Sequence, residues 1–96
     1  MGKYDQGIRD FSKIIELDPI STGAYNVRGT AYLKMRKYDQ GIRDFSRIIE
    51  LSPTDANAYI GRALAHRAKG DLTQANRDFD KAIALNPALQ RFRSRP

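Results

Sequence analysis

Residues 3–19 read KYDQGIRDFSKIIELDP and residues 37–53 read KYDQGIRDFSRIIELSP, with 15 of 17 positions identical. The offset is 34 residues, and a second shift of 34 lays 20–53 on 54–87 without a gap. That alignment shares Ala24/Ala58, Tyr25/Tyr59, Arg28/Arg62, Asp44/Asp78, Phe45/Phe79 and Pro53/Pro87, among others. One spacing met three times marks a chain that stacks a single unit, so the local structure of that unit sets the fold.

In Tyr38–Leu51 the apolar residues Tyr38, Ile42, Phe45, Ile48, Ile49 and Leu51 largely follow the i, i+4, i+7, i+11 spacing of one helical face. Pro53 closes this helix, because proline lacks a backbone donor and disfavours helical geometry in the residue before it. Pro19 and Pro87 do the same in their copies. Upstream, Ala24, Tyr25, Ala31, Tyr32 and Met35 mark a second helix, with Ser21 or Thr22 as its N-cap. In the next copy Thr54 or Asp55 takes that role. Lys69-Gly70-Asp71 is the turn that follows, with Asp71 as cap and Gln74 at the capping-box position. The unit is therefore helix, turn, helix. Gly29 or Ala63 in the first helix, and Gly7, Gly41 or Ala75 in the second, stand where two helices must approach closely. A glycine inside a helix costs roughly 1 kcal/mol against alanine, which close packing would justify.

The 34-residue period, the aromatic, small, aromatic pattern of Tyr25, Gly29 and Tyr32, and Gly41, Phe45 and terminal Pro53 resemble a tetratricopeptide repeat. The second copy is similar through Tyr59, Ala63, Gly70, Ala75, Phe79, Ala82 and Pro87. Some positions depart from the family pattern. Arg28 and Arg62 stand where the family often has leucine, His66 replaces the second aromatic, and Asn76 replaces the apolar residue present as Ile8 and Ile42. The expected organisation is a half repeat at 3–19 (second helix only), full repeats at 20–53 and 54–87, and a basic tail at 88–96. The resemblance implies an all-α, right-handed superhelix of antiparallel helix pairs, an α-solenoid of about five helices.

The chain is long enough for one small domain, and without cysteine it has no disulfides to support it. Hydrophobic residues make up 41% and charged residues 29%, too apolar a balance for a disordered chain. No apolar run approaches the roughly 20 residues of a membrane span, and no secretory signal opens the sequence, so a cytoplasmic setting is expected. The net charge is +6, of which Arg91, Arg93 and Arg95 supply three, leaving the body only mildly basic. A flexible, solvated end is the plain reading of that tail; its aromatic Phe92 among arginines also suits phosphates and bases.

No residue pattern supports catalysis, a cofactor or a metal. His66 is the single histidine and sits among Ala63, Leu64 and Ala65, a packing position rather than a ligand set. No phosphate-cradling glycine loop, nucleophile elbow or zinc-peptidase motif occurs. Asp10, Asp44 and Asp78 occupy one repeat position, and recurrence with the period favours structure over catalysis. Asp10 and Asp44 are expected to accept ion pairs from Arg28 and Arg62 between neighbouring helices.

The resemblance also implies a non-catalytic scaffold that binds another protein or a peptide on a concave face lined by the first helix of each repeat. Carried over residue by residue, the groove positions are Asn26, Thr30, Leu33 and Lys34 in one repeat and Asn57, Ile60, Leu64 and Arg67 in the other, flanked by Gly23 and Ala68. The mixed apolar and basic lining suits a peptide with apolar anchors and some acidic character. Some family members grip the C-terminal carboxylate of heat-shock chaperones with a Lys and an Asn one helical turn apart. The matching positions here hold Asn26 and Thr30, then Ile60 and Leu64, so that clamp is not expected. An alternative reading is a self-assembling module. The helix over 3–17 has no preceding helix to cover Tyr4, Ile8, Phe11 and Ile15, and the helix over 72–85 lacks a following cap, so two copies could pair through these ends as a homo-oligomer. Nucleic-acid binding through the tail stands third.

Overall fold

A computed structural model describes residues 2–94. Five long helices follow one another, α1 (Lys3–Leu17), α2 (Thr22–Lys34), α3 (Tyr38–Leu51), α4 (Ala56–Lys69) and α5 (Leu72–Leu85). A 3-10 turn (Pro87–Leu89) and a short α6 (Gln90–Ser94) complete the chain. No strand occurs among the described residues, and no helix there is long and apolar enough to cross a membrane.

The caps are local and readable. Ser21 Oγ accepts the Ala24 amide at 3.3 Å and Asp55 Oδ1 accepts the Ala58 amide at 3.2 Å, each taking one of the unpaired donors of a helix start. Asp71 caps α5 in the same way through the Gln74 amide, at 3.2 Å. Here the capping-box expectation is corrected in part: the Asp71 amide donates to the His66 carbonyl at 2.9 Å, so Gln74 does not return a bond to it. Gly70 leaves α4 with φ 92°, the left-handed geometry in which a side chain is strained. At the same repeat position, after α2, Arg36 is forced to φ 62°.

Sequential helices pack as antiparallel neighbours, α1 on α2, α2 on α3, α3 on α4 and α4 on α5, with α2 also touching α4. The result is the right-handed superhelix of helix pairs, α2 and α4 on its inner side and α1, α3 and α5 on its outer side. Two small cores lie between these layers. One holds Tyr25, Phe45, Ile48 and Ala58; the other holds Tyr59, Ile60, Ala63, Ala75, Phe79, Ala82 and Leu89. Phe45 is wedged between two glycines. A Cβ at Gly61 would lie 2.5 Å from its ring and one at Gly29 would lie 3.2 Å away, so α4 and α2 close on Phe45 only because both lack side chains there.

Each unit is tied by the same polar staple. Arg28 donates from Nε and Nη2 to the Asp44 carboxylate at 2.9 and 2.7 Å, and from Nη1 to Ser12 Oγ at 3.1 Å. Arg62 repeats this on Asp78, at 2.8 Å twice, and on Ser46 at 3.1 Å. One guanidinium therefore joins three successive helices. Both arginines have their pKa raised, first by the hydrogen bond to the carboxylate, and they stay cationic although three-quarters buried. This corrects the expected pairing. Arg28 takes Asp44, not Asp10, and Arg62 takes Asp78, not Asp44. A spacing of +16 places the carboxylate opposite the arginine within one helix pair, whereas at −16, on the preceding helix, the facing residue is a serine. Asp10 is left exposed and accepts only from Gln6, at 2.9 Å. Tyr25 and Tyr59 add a second periodic tie, donating their hydroxyls to the carbonyls of Pro19 and Pro53 at 2.9 and 3.2 Å.

The tail also departs from expectation. Leu89 is 5% exposed and Phe92 packs on the same core, so the segment after Pro87 covers α5 where a bare, solvated end was expected. Arg93 donates to the Asn76 carbonyl at 3.1 Å and pairs with Asp80, which pins α6 along α5. Arg95 lies outside the described residues.

Candidate functional site

The inner helices present one face to each other across the superhelix. At 100° per residue, Asn26, Thr30, Leu33 and Lys34 fall on one side of α2, and Asn57, Ile60, Leu64 and Ala68 fall on the matching side of α4. Together they line a single hollow of about 470 Å³, floored from α3 by Tyr38 and Phe45 and from α4 by Gly61. Seven of the eight groove residues read from the sequence thus share one concavity. Arg67 does not line it. Its guanidinium lies 5.3 Å from the Phe79 ring centroid and reaches the Phe92 carbonyl at 3.5 Å, drawn toward the folded tail.

A second hollow of about 410 Å³ continues the first toward α1. Lys3, Tyr4, Gly7, Asn26, Val27, Thr30, Ala31 and Lys34 surround it. Asn26, Thr30 and Lys34 belong to both, so the two form one channel across α1, α2 and α4. Neither hollow is lined by a carboxylate, and Lys3 and Lys34 are its cations. An apolar floor takes hydrocarbon, the Asn26 and Asn57 amides and the Tyr4, Thr30 and Tyr38 hydroxyls offer hydrogen bonds to a backbone, and the ammonium groups favour anionic side chains.

Sequence reasoning passed over Tyr38, Phe45 and Gly61 as parts of this floor. Gly61 carried a readable signal: it stands where the preceding repeat has Val27, and a glycine in mid-helix is costly unless something needs its space. Of the four residues read as a self-association surface, Tyr4 is 40% exposed and lines the second hollow, while Ile8 and Phe11 are half-buried. Ile15 packs against the core around Phe45. The open apolar surface at this end comprises Ile14, Leu17 and Ile20, at 41%, 87% and 69% exposure. His66 is largely buried, its Nδ1 3.9 Å from the Asp71 carboxylate and without a hydrogen-bond partner. Among the described residues no group of three or more His, Cys, Asp or Glu could hold a metal ion.

With that geometry in place, comparison decides the family. A tetratricopeptide repeat model matches residues 26–90, more than half of the chain. The chain belongs to the tetratricopeptide repeat family. No curated protein sequence matches it. Among solved structures, the crystal structure of MamA superposes with a TM-score of 0.90 and 26% identity, over 95% of this chain and 53% of MamA. The chain thus spans about half the length of that relative. The first tetratricopeptide domain of Spaghetti (RPAP3), bound to the HSP90 peptide SRMEEVD, gives a TM-score of 0.86 at 25% identity, covering 96% of this chain and 79% of that one. The second such domain of human RPAP3, in complex with the HSP70 peptide SGPTIEEVD, gives 0.86 at 27% identity, covering 98% and 84%. Tetratricopeptide repeat neighbours are therefore peptide-binding modules in at least these two cases.

Proposed function

We propose that the chain is a non-catalytic protein-interaction scaffold that holds a peptide along the concave channel of α2 and α4. The observation that carries this is the convergence of Asn26, Thr30, Leu33, Lys34, Asn57, Ile60 and Leu64 on one hollow with an apolar floor and no carboxylate. The repeat organisation read from the sequence, a half repeat at 3–19, full repeats at 20–53 and 54–87 and a tail at 88–96, belongs to the same proposal. The bound peptides of the RPAP3 domains are acidic, which agrees in sign with Lys3 and Lys34 here. The lining differs from a carboxylate grip, because Ile60 and Leu64 replace polar residues with hydrocarbon. The occupant is accordingly a peptide with an apolar side chain over Ile60 and Leu64 and an acidic residue near Lys34. A peptide array probed with the chain and with Leu64→Glu and Lys34→Glu tests this. Sequences of that type should bind the parent chain and lose both variants; hits indifferent to both substitutions would refute the site.

A second reading, self-association through α1, has its own observation: no residue of α1 is buried, and Leu17 and Ile20 are the most exposed large apolar side chains of the described chain. Light scattering across a dilution series at low and high salt tests it. A salt-insensitive dimer that Leu17→Glu dissociates supports pairing, and a monomer throughout removes it.

A further inference from the structure

The outer helices carry a periodic feature that the groove does not use. Arg9 and Lys13 on α1, Arg43 and Arg47 on α3, and Arg77 and Lys81 on α5 occupy the same two repeat positions and are all exposed. In each helix the pair is spaced i, i+4, one above the other on the solvent face. Like charges at that spacing destabilise a helix, and the acids beside them, Asp5, Asp39 and Glu50, offset this only on α1 and α3. The divergence of α5 from α3 sharpens the point. Asp39 and Glu50 are replaced by Thr73 and Ala84 and Ser46 by Asp80, so α5 exchanges two outward acids for one, while Gln40, Arg43 and Arg47 persist as Gln74, Arg77 and Lys81.

Neighbouring acids offset the row only in part, through the Arg47–Glu50 pair and the attraction of Asp5 to Arg9 and of Asp39 to Arg43. Asp44 and Asp78 are held inside by Arg28 and Arg62, Asp39 accepts from Lys69 at 2.6 Å, and Asp80 is taken by Arg93 from the tail. Arg47 is bonded to Glu50 at 2.9 Å and Arg9 to Gln6 at 3.3 Å. Lys13, Arg43, Arg77 and Lys81 make no hydrogen bond or ion pair with the described residues.

We propose that the three cation pairs on α1, α3 and α5 form a stripe that binds the phosphate backbone of single-stranded nucleic acid. Arginine supplies four of the six groups, and its planar fork suits phosphate oxygens. Beside the middle pair a hollow of about 300 Å³ is lined by Tyr25, Tyr32, Gln40, Arg43 and Arg47 and by the Arg28–Asp44 pair, whose carboxylate is already taken by Arg28, which sets two aromatic rings and an amide next to the Arg43 and Arg47 guanidinium groups. That composition meets a base as well as a phosphate, where a lipid headgroup would use only the cations. A flat bilayer or a stiff duplex meets a convex face along a tangent, whereas a single strand can follow all three helices. No exposed side chain of α3 is large and apolar, so the centre of the stripe has nothing to insert into a membrane. The stripe lies across α2 from the peptide channel: Tyr25, Arg28 and Tyr32 face it, and Asn26, Thr30 and Lys34 face the channel. The two surfaces can be occupied independently.

The test is fluorescence anisotropy of the full chain with a labelled oligouridylate of about 15 nucleotides, ample for a molecule 34 Å long. Six phosphate contacts give a slope of log K against log salt of roughly −4, an affinity loss of about 300-fold from 50 to 200 mM salt. Lys13→Gln/Arg43→Gln/Arg77→Gln/Lys81→Gln should reduce the slope to roughly −1.5 with unchanged helicity by circular dichroism. If that variant loses helicity, Arg43→Gln/Arg77→Gln carries the test, with the slope falling by about 1.4. Arg91→Gln/Arg93→Gln should leave the slope within about one contact of the parent. Absence of oligonucleotide binding, or binding lost with the tail variant and kept by the stripe variants, overturns the proposal. So does binding of phosphatidylserine vesicles without binding of the oligonucleotide.

Discussion

Truncating Asp78 to alanine isolates the staple that the structure assigns to each helix pair. The Asp78 side chain is 7% exposed and takes two hydrogen bonds from Arg62, whose own side chain is 24% exposed. Arg62 stays cationic without its partner and keeps only the Ser46 hydroxyl, at 3.1 Å. Breaking a fully buried ion pair costs about 3–5 kcal/mol; water reaching the quarter-exposed guanidinium lowers that to about 2–3 kcal/mol here. A chain of this size has roughly 5–14 kcal/mol of total stability, so the loss is large. Urea titration followed by far-UV circular dichroism should show it, and the thermal midpoint should fall by roughly 10–20 °C. Two controls bound the reasoning. Asp10→Ala, at the same repeat position but exposed and paired only with Gln6, should change stability by no more than about 0.5 kcal/mol. Arg62→Leu/Asp78→Leu should cost less than the two single truncations added, because neither charge is then stranded. A cost below about 0.5 kcal/mol for Asp78→Ala, or equal costs at Asp10 and Asp78, would refute the staple as a source of stability.

Arg36→Gly should stabilise the chain by about 0.5–1 kcal/mol in the same urea titration, since Arg36 holds φ 62° where the next repeat uses Gly70. Gly61→Ala should destabilise by about 1–3 kcal/mol, because its Cβ would lie 2.5 Å from the Phe45 ring. Gly7→Ala, with nothing within 4 Å, should instead gain up to about 1 kcal/mol from helix propensity. Leu89→Ala should cost about 2 kcal/mol or more and speed amide exchange in α5, as expected of a core residue and not of a solvated tail.

The elements were legible because the period did the work that propensity alone does poorly. Pro19, Pro53 and Pro87 set the helix ends, the apolar spacing set the faces, and the bounds of α1, α3 and α5 follow directly. The direction of the arginine staple was not legible. The 34-residue period places Arg28 near both Asp10 and Asp44 in principle, and only the handedness of packing puts the carboxylate at +16 and serine at −16. The capped end was hidden for a different reason. Nine residues are too few for a periodic pattern, and Leu89 and Phe92 read as scattered apolar residues until α5 presents them with Phe79 and Ile83. In the groove, the wall positions followed from the repeat register, but Tyr38, Phe45 and Gly61 belong to its floor through a helix–helix approach that a linear pattern does not express.

The central claim is that the concave channel holds a peptide, and amide shift mapping by two-dimensional NMR tests it most directly. The isotope-labelled chain is titrated with an array-selected acidic peptide bearing one apolar anchor, alone and with Leu64→Glu. The account predicts shifts concentrated at Asn26, Thr30, Lys34, Ile60, Gly61 and Leu64 that vanish in the variant. Shifts confined to α1 or to the outer faces of α3 and α5, or unchanged in Leu64→Glu, would contradict it.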